Sequence, residues 1–427
     1  MSRDVPTPPV WWVALAAALA LDVGSIYRAT AQPASDVRTY HQWITGPLPS
    51  WTAAGPYPVG ADLLWWPLRW LPGPVNVWWL VACTGPATGL ACLVLWRTAG
   101  RPLIAVTVWL TAAGLLERSY WMRLEPVAAL AALLMVVGVR RGRVAGPALV
   151  LSGGALVKVW PAFLLPTALL LPSSAAGRPA GRPAQAAARR LGWFALPWVV
   201  YGLAVLVLRP PHATTWLTFT LTRRSQAESL SVLPALWSMA AGGHTWHLRY
   251  VGGLDSADIV TGPHLRAARL VLQLVAVAVL AVLAARVVPV ARRRGAGTDG
   301  GEGLALVLVA QVAALLVIIF AGPAFSPQYL VWFAPLLAVA AGDGRLGRET
   351  ALWLVGCALT FVEFPLLWNE MRAADPVAVT ALTARDAVLA VLLGLCLWRV
   401  LRATGPRRVS ATDRTGVRSV TGVDAQG

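Results

Sequence analysis

The sequence predicts an all-α, polytopic transmembrane helical bundle, and three observations predict it. Of its 427 residues, 57% are hydrophobic and 13% charged, against about 25% charged in soluble chains. The apolar residues fall in blocks of about 17–25, the length at which a helix crosses a hydrocarbon core. No segment alternates with period two for long, which sets a transmembrane β-barrel aside.

The expected spans are 10–27, 76–96, 102–118, 126–139, 144–157, 160–172, 191–208, 266–288, 303–321, 328–341, 350–368 and 376–399. Those at 126–139, 144–157, 160–172 and 328–341 are short, so broken or partly inserted helices are expected there. Non-helical backbone at such depth has to be covered by protein or line a wet cavity. The first run lacks a small-residue cleavage pattern and is followed closely by further spans, so it reads as a retained helix. Residues 1–403 are expected to form one integral membrane domain with helical outer loops 28–75 and 209–265, and residues 404–427 a disordered cytoplasmic tail.

Charge placement orients the chain. The formal net charge is +17, but the arginines crowd alternate connections: Arg97 and Arg101, Arg140 to Arg143, Arg178 to Arg190, Arg286 to Arg294, Arg345 and Arg348, and the tail. The positive-inside rule then puts both termini in the cytoplasm of a multi-pass plasma-membrane protein, and a nucleic-acid partner is not expected. Cys83, Cys92, Cys357 and Cys396 all lie in apolar runs without CxxC spacing, which suits small packing residues better than metal ligands. Lys158 is the only lysine, a bias that fits a GC-rich genome.

The connections differ in kind. Those around residues 172–190 and 292–303 are rich in Gly, Ala, Pro and Arg, as linkers are. The outer loops hold the chemistry. In "QPASDVRTYHQW", Asp36 stands just beyond the first span, where a carboxylate can take a proton from an acceptor hydroxyl. Arg38 offers a guanidinium fork to phosphate oxygens, and Tyr40 or His41 can orient a sugar. The same residues also suit a surface helix capped by Ser35 or Asp36. The Trp- and Pro-rich stretch from Gly55 to Pro74 reads as a helix lying in the headgroup region.

Lys158 sits near an outer turn, either snorkelling or gripping an anionic lipid phosphate. In "LTRRSQAESLSVLP", Arg223 and Arg224 are a phosphate-capable pair, while Gln226 and Glu228 offer sugar-type hydrogen bonds; a solvated amphipathic helix is the other reading. His244 and His247 have a metal-like spacing but no positioned further ligand. In "GPAFSPQYLVWFAPLL", Ser326, Gln328 and Tyr329 stand at a helix entrance that Pro327 suits.

In this order the motifs resemble the polyprenyl-phosphate-dependent glycosyltransferases of the GT-C class, in particular glycosyltransferase family 87 and its mannosyltransferase relatives. The resemblance runs over residues 10–345. It rests on Asp36 followed by Tyr40, Tyr57-Pro58, Pro67-Leu68, Lys158 with Pro161 and Leu164 to Pro166, and Ser326 to Trp332. The chain departs from it at "YPV" and at "VWP" after Lys158. The resemblance implies an inverting transfer on the extracytoplasmic face, from a polyprenyl-phosphate sugar (most often mannose) to a glycolipid or glycan acceptor. Asp36 would be the base, Arg38, Lys158, Arg223 and Arg224 would hold the donor phosphate, and Tyr40, His41, Tyr57, Gln226, Glu228, Ser326, Gln328 and Tyr329 would contact sugar or acceptor. The leaving group is already an anion, so no metal or cofactor is expected. A transporter or lipid flippase, with Asp22 and Glu363 lining a path, is the alternative.

Overall fold

A computed structural model describes residues 8–31, 37, 57–71, 75–170, 183–208, 214–251, 257–294 and 300–405. Asp36, Arg38, Tyr40 and His41, His212, most of the linkers and the tail beyond Gly405 lie outside the described residues.

The described chain is a bundle of helices with one short hairpin. The order is α1 (Pro9–Ala31), α2 (Val59–Trp65), α3 (Val75–Thr98), α4 (Pro102–Leu116), α5 (Arg118–Trp121), α6 (Glu125–Arg140), α7 (Ala145–Val157) and α8 (Trp160–Leu170). Then come α9 (Pro183–Leu208), α10 (Thr215–Thr222), α11 (Leu230–Ala240), β1 (His247–Val251) and β2 (Ala257–Thr261). The chain closes with α12 (Leu265–Arg294), α13 (Gly300–Ala321), α14 (Pro327–Gly342), α15 (Gly347–Leu366), α16 (Trp368–Arg372) and α17 (Pro376–Thr404).

Seven of these, α1, α3, α9, α12, α13, α15 and α17, are long and apolar enough to cross a membrane. Shorter helices underlie the other five expected spans. Large apolar side chains stand exposed along α9 and α12, among them Leu203, Leu206, Val207, Leu270, Leu274 and Val277. Water does not tolerate such stripes, and a bilayer does.

Proline explains where the helices break. A π turn, Leu80–Thr84, interrupts α3 just before Pro86, and a second, Val362–Leu366, contains Pro365. A proline withholds its N–H and crowds the preceding turn, which favours such local rewinding. Helices α8 and α14 open as 3₁₀ turns, Trp160–Leu164 and Pro327–Phe333, each with a proline in its first two positions.

Helix α4 is buried nearly all round, between α1, α3, α14 and α15. At Gly114 an added Cβ would meet Leu21 Cγ of α1 at 2.7 Å, so the glycine sets how closely α1 and α4 approach. At one end of the bundle Arg140 pairs with Asp343 at 3.0 Å, Arg399 with Glu349 at 2.5 Å, and the Arg101 amide donates to Gly342 O at 2.6 Å. The opposite end holds the exit of α1, where Asn76 Nδ2 donates to Thr30 O at 2.6 Å.

One expectation needs correcting: the loop at 209–265 is not wholly helical. Strands β1 and β2 pair antiparallel with His247 opposite Thr261 and Val251 opposite Ala257. Their Val, Ile, Thr and Tyr content favours extended backbone. Five residues per strand is too short a pattern to stand out beside spans of twenty.

Candidate functional site

The polar residues of the α1-exit end come from segments far apart in sequence. Lys158 caps the end of α7 with extended backbone (φ −151°, ψ 131°). Its ammonium donates to Glu125 Oε1, the first residue of α6. Glu125 is fully buried, and Lys158 is 9% exposed. An ion pair in such a place persists because each partner alone would be a desolvated charge.

Over the same ammonium lies the ring of Tyr57, its centroid 5.2 Å away, a cation–π geometry. What brings Tyr57 there is Gly60. A Cβ at that position would meet the Leu156 carbonyl carbon and oxygen at 2.7 Å, so α2 lies directly on the end of α7.

The second edge is built around Arg223, which follows α10. Its Nη1 donates to the Tyr329 hydroxyl at 2.8 Å and its Nη2 to Gln226 Oε1 at 3.0 Å. Arg269 Nη1 holds the Arg223 carbonyl at 3.0 Å. The Gln226 amide donates to Pro323 O at 2.8 Å, which joins the segment before α11 to the segment before α14.

An aromatic column joins the two edges. Tyr329 stacks on Trp332 with centroids 4.4 Å apart, and Trp332 on Trp160 at 5.4 Å, two residues beyond Lys158. Gln328 is buried beside Tyr329, with its Oε1 accepting no hydrogen bond among the described residues.

Arg123, in the turn between α5 and α6, completes the group, within electrostatic reach of Glu125, Arg223, Tyr329 and Glu228. Burial pushes its guanidinium below the ordinary value, and Glu125 opposes that. For Arg223, burial works the same way but is outweighed by Tyr329, Glu228 and Tyr57, which together raise it. Both stay cationic, as arginine does in proteins. Among the described residues, Arg123, Lys158 and Arg223 thus stand with two carboxylates, Glu125 and Glu228, among phenols and amides. Chemically this is a phosphate-receiving arrangement with hydrogen-bond partners for hydroxyls alongside.

The structure therefore gathers Lys158, Arg223, Tyr57, Gln226, Glu228 and Tyr329, six of the residues the sequence points to. Arg224 is exposed, away from the buried side of its neighbour. Ser326 is half-buried at the start of the 3₁₀ turn, where its carbonyl accepts from the Tyr329 amide at 2.9 Å. His244 and His247 are exposed near the hairpin.

Sequence reading missed Arg123, Glu125 and Glu117. All three stand in "ERSYWMRLEP", residues 117–126, a ten-residue connection with four charges that could have drawn attention. Glu117 is buried with a positive φ of 44°, and its Oε2 lies 3.2 Å from Arg28 Nε of α1. Such backbone costs a non-glycine residue of order 1–3 kcal/mol.

No family model matches this chain, and comparison with curated proteins and with solved structures returns no significant match.

Proposed function

We propose that the chain is a membrane glycosyltransferase of the polyprenyl-phosphate-dependent GT-C type. It moves a sugar, with mannose the first choice, from a polyprenyl-phosphate donor to a hydroxyl of a glycolipid or glycan. The reaction runs on the extracytoplasmic face and inverts the anomeric centre, with both termini cytoplasmic. The observation that carries this reading is the meeting of Arg123, Lys158 and Arg223 with Tyr57, Gln226 and Tyr329, at the bundle end where α1 exits.

A lipid-borne phosphate leaving with its negative charge needs fixed cations at the membrane surface, already oriented before the bond breaks. The Arg223 fork, held by Tyr329 and Gln226, meets that need. Asp36 removes the proton from the attacking hydroxyl; the anomeric carbon–oxygen bond to the phosphate breaks as the new glycosidic bond forms. The long lipid tail lies against the partly exposed apolar flank of the broken helix α8.

A transporter or flippase would need polar side chains along a path through the bundle. Among the described residues, the middles of α6 and α14 are instead apolar and largely buried, and that of α4 carries only Thr107 and Thr111 as hydroxyl side chains. That favours a site open at one end.

The test uses purified protein in detergent with polyprenyl-phosphate mannose and a mannoside acceptor. Asp36→Ala and Asp36→Asn should each lower the transfer rate by about 10²–10⁴-fold, the range a general base supplies. Undiminished transfer by either variant removes Asp36 as the base; transport of the intact lipid-linked sugar without transfer supports the alternative.

A further inference from the structure

Beneath the phosphate-receiving group lies a second buried ionic cluster that the proposed reaction does not use directly. Arg385 of α17 is fully buried. Its Nη1 donates to Glu363 Oε2 at 2.6 Å, and its Nε and Nη2 donate to Asp386 Oδ1 at 3.0 and 2.9 Å. Nη2 also donates to the backbone carbonyl of Glu228 at 3.1 Å. The guanidinium lies over the ring of Phe325, 4.1 Å from its centroid.

The two last contacts fall on the two segments that build the site's second edge. Glu228 is two residues beyond Gln226, and Phe325 is four residues before Tyr329. Gln226 and Tyr329 are the groups that hold the Arg223 fork. The segments are already stitched by the Gln226 amide and Pro323 O; Arg385 braces both from the bundle side. Two carboxylates would neutralise any cation here. Only a planar guanidinium has directed donors for two carboxylates and a carbonyl together, with a flat face for the ring.

We propose that Arg385 is a positioning residue for the donor site: by holding the Glu228 carbonyl and the Phe325 ring it sets the geometry of Gln226 and Tyr329, and through them of Arg223. This rests on the transferase reading for its functional meaning, but the brace itself has a readout free of activity.

The experiment compares wild type with Arg385→Lys, Arg223→Lys and the double variant. Arg385→Lys keeps the charge balance and loses the bond to the Glu228 carbonyl. In hydrogen exchange, the peptide spanning 225–232 should exchange at least about fivefold faster in Arg385→Lys, while peptides of α4 and α13 stay unchanged. In transfer from polyprenyl-phosphate mannose, KM for the donor should rise about tenfold with kcat within about threefold. The double variant should be no more than about twofold worse than the worse single one, because both changes disable the same fork.

Unchanged exchange and KM in a folded Arg385→Lys overturn the inference and leave the transferase reading standing. So does a double variant whose effects multiply. Absence of transfer by wild type from any polyprenyl-phosphate sugar overturns the reading, and the positioning role with it. Should Arg385→Lys not fold, Phe325→Leu removes the ring alone; a donor KM raised about threefold supports the inference, and an unchanged one overturns it.

Discussion

Replacing Lys158 with Met tests whether the ion pair at the heart of the site is as buried as its geometry says. The substitution leaves Glu125 fully buried and without its ammonium. Removing one partner of a buried pair typically costs about 3–5 kcal/mol; Arg123 stays within electrostatic reach of the Glu125 carboxylate, so the loss should fall at the lower end of that range.

Equilibrium unfolding in mixed micelles, titrated with SDS at pH 7, measures the loss. Adding Glu125→Gln to Lys158→Met should recover most of it, since a neutral pair of similar volume often replaces a buried ion pair at little cost. A loss below about 1 kcal/mol, or no recovery in the double variant, would refute the reasoning.

Tyr329→Phe removes the acceptor of the Arg223 Nη1 hydrogen bond and should cost about 0.5–1.5 kcal/mol of stability, with a several-fold higher donor KM in the transfer assay. Gly60→Val places a branched side chain where even a Cβ meets the Leu156 backbone at 2.7 Å; thermal unfolding should show a loss of about 1–3 kcal/mol. Ala374 follows α16 with φ 52°, in a turn where the Asp375 amide donates to Glu370 O and the Ala374 amide to Met371 O. Glycine is the favoured residue there, so Ala374→Gly should stabilise by about 0.5–1 kcal/mol in the same measurement.

Much of the bundle was legible because apolar blocks of span length have few alternatives to a membrane helix. The shortness of the apolar runs at 160–172 and 328–341 pointed to broken or partly inserted helices, and α8 and α14 both open as 3₁₀ turns. Lys158 and Tyr329 stood out as polar groups at span ends and Arg223 and Gln226 as polar groups in a long connection, and they converge. Their partners were not legible. Glu125 lies 33 residues from Lys158, and Tyr329 lies 106 residues from Arg223; pairings at such separation are set by how helices pack, which no local pattern encodes. Arg385 and Asp386 were absorbed into an apolar span because averaging over twenty residues hides two adjacent charges. The hairpin escaped for the opposite reason, each strand being only five residues long.

Helix α13 carries a lesson for how such a chain tolerates change. Within its apolar window, 83% of residues are buried inside the protein, against 17% for α12 and 11% for α9. All three are apolar enough to cross a membrane, yet α13 works as a mast enclosed by its neighbours, and the other two form hull planking turned to the lipid. Trimming a Leu or Val of the mast to Ala opens a void that nothing fills, whereas on the planking acyl chains flow into the gap. Mutational sensitivity will therefore follow enclosure, which sets α13 apart from α12 far more sharply than their mean hydropathies of 3.0 and 2.5 do.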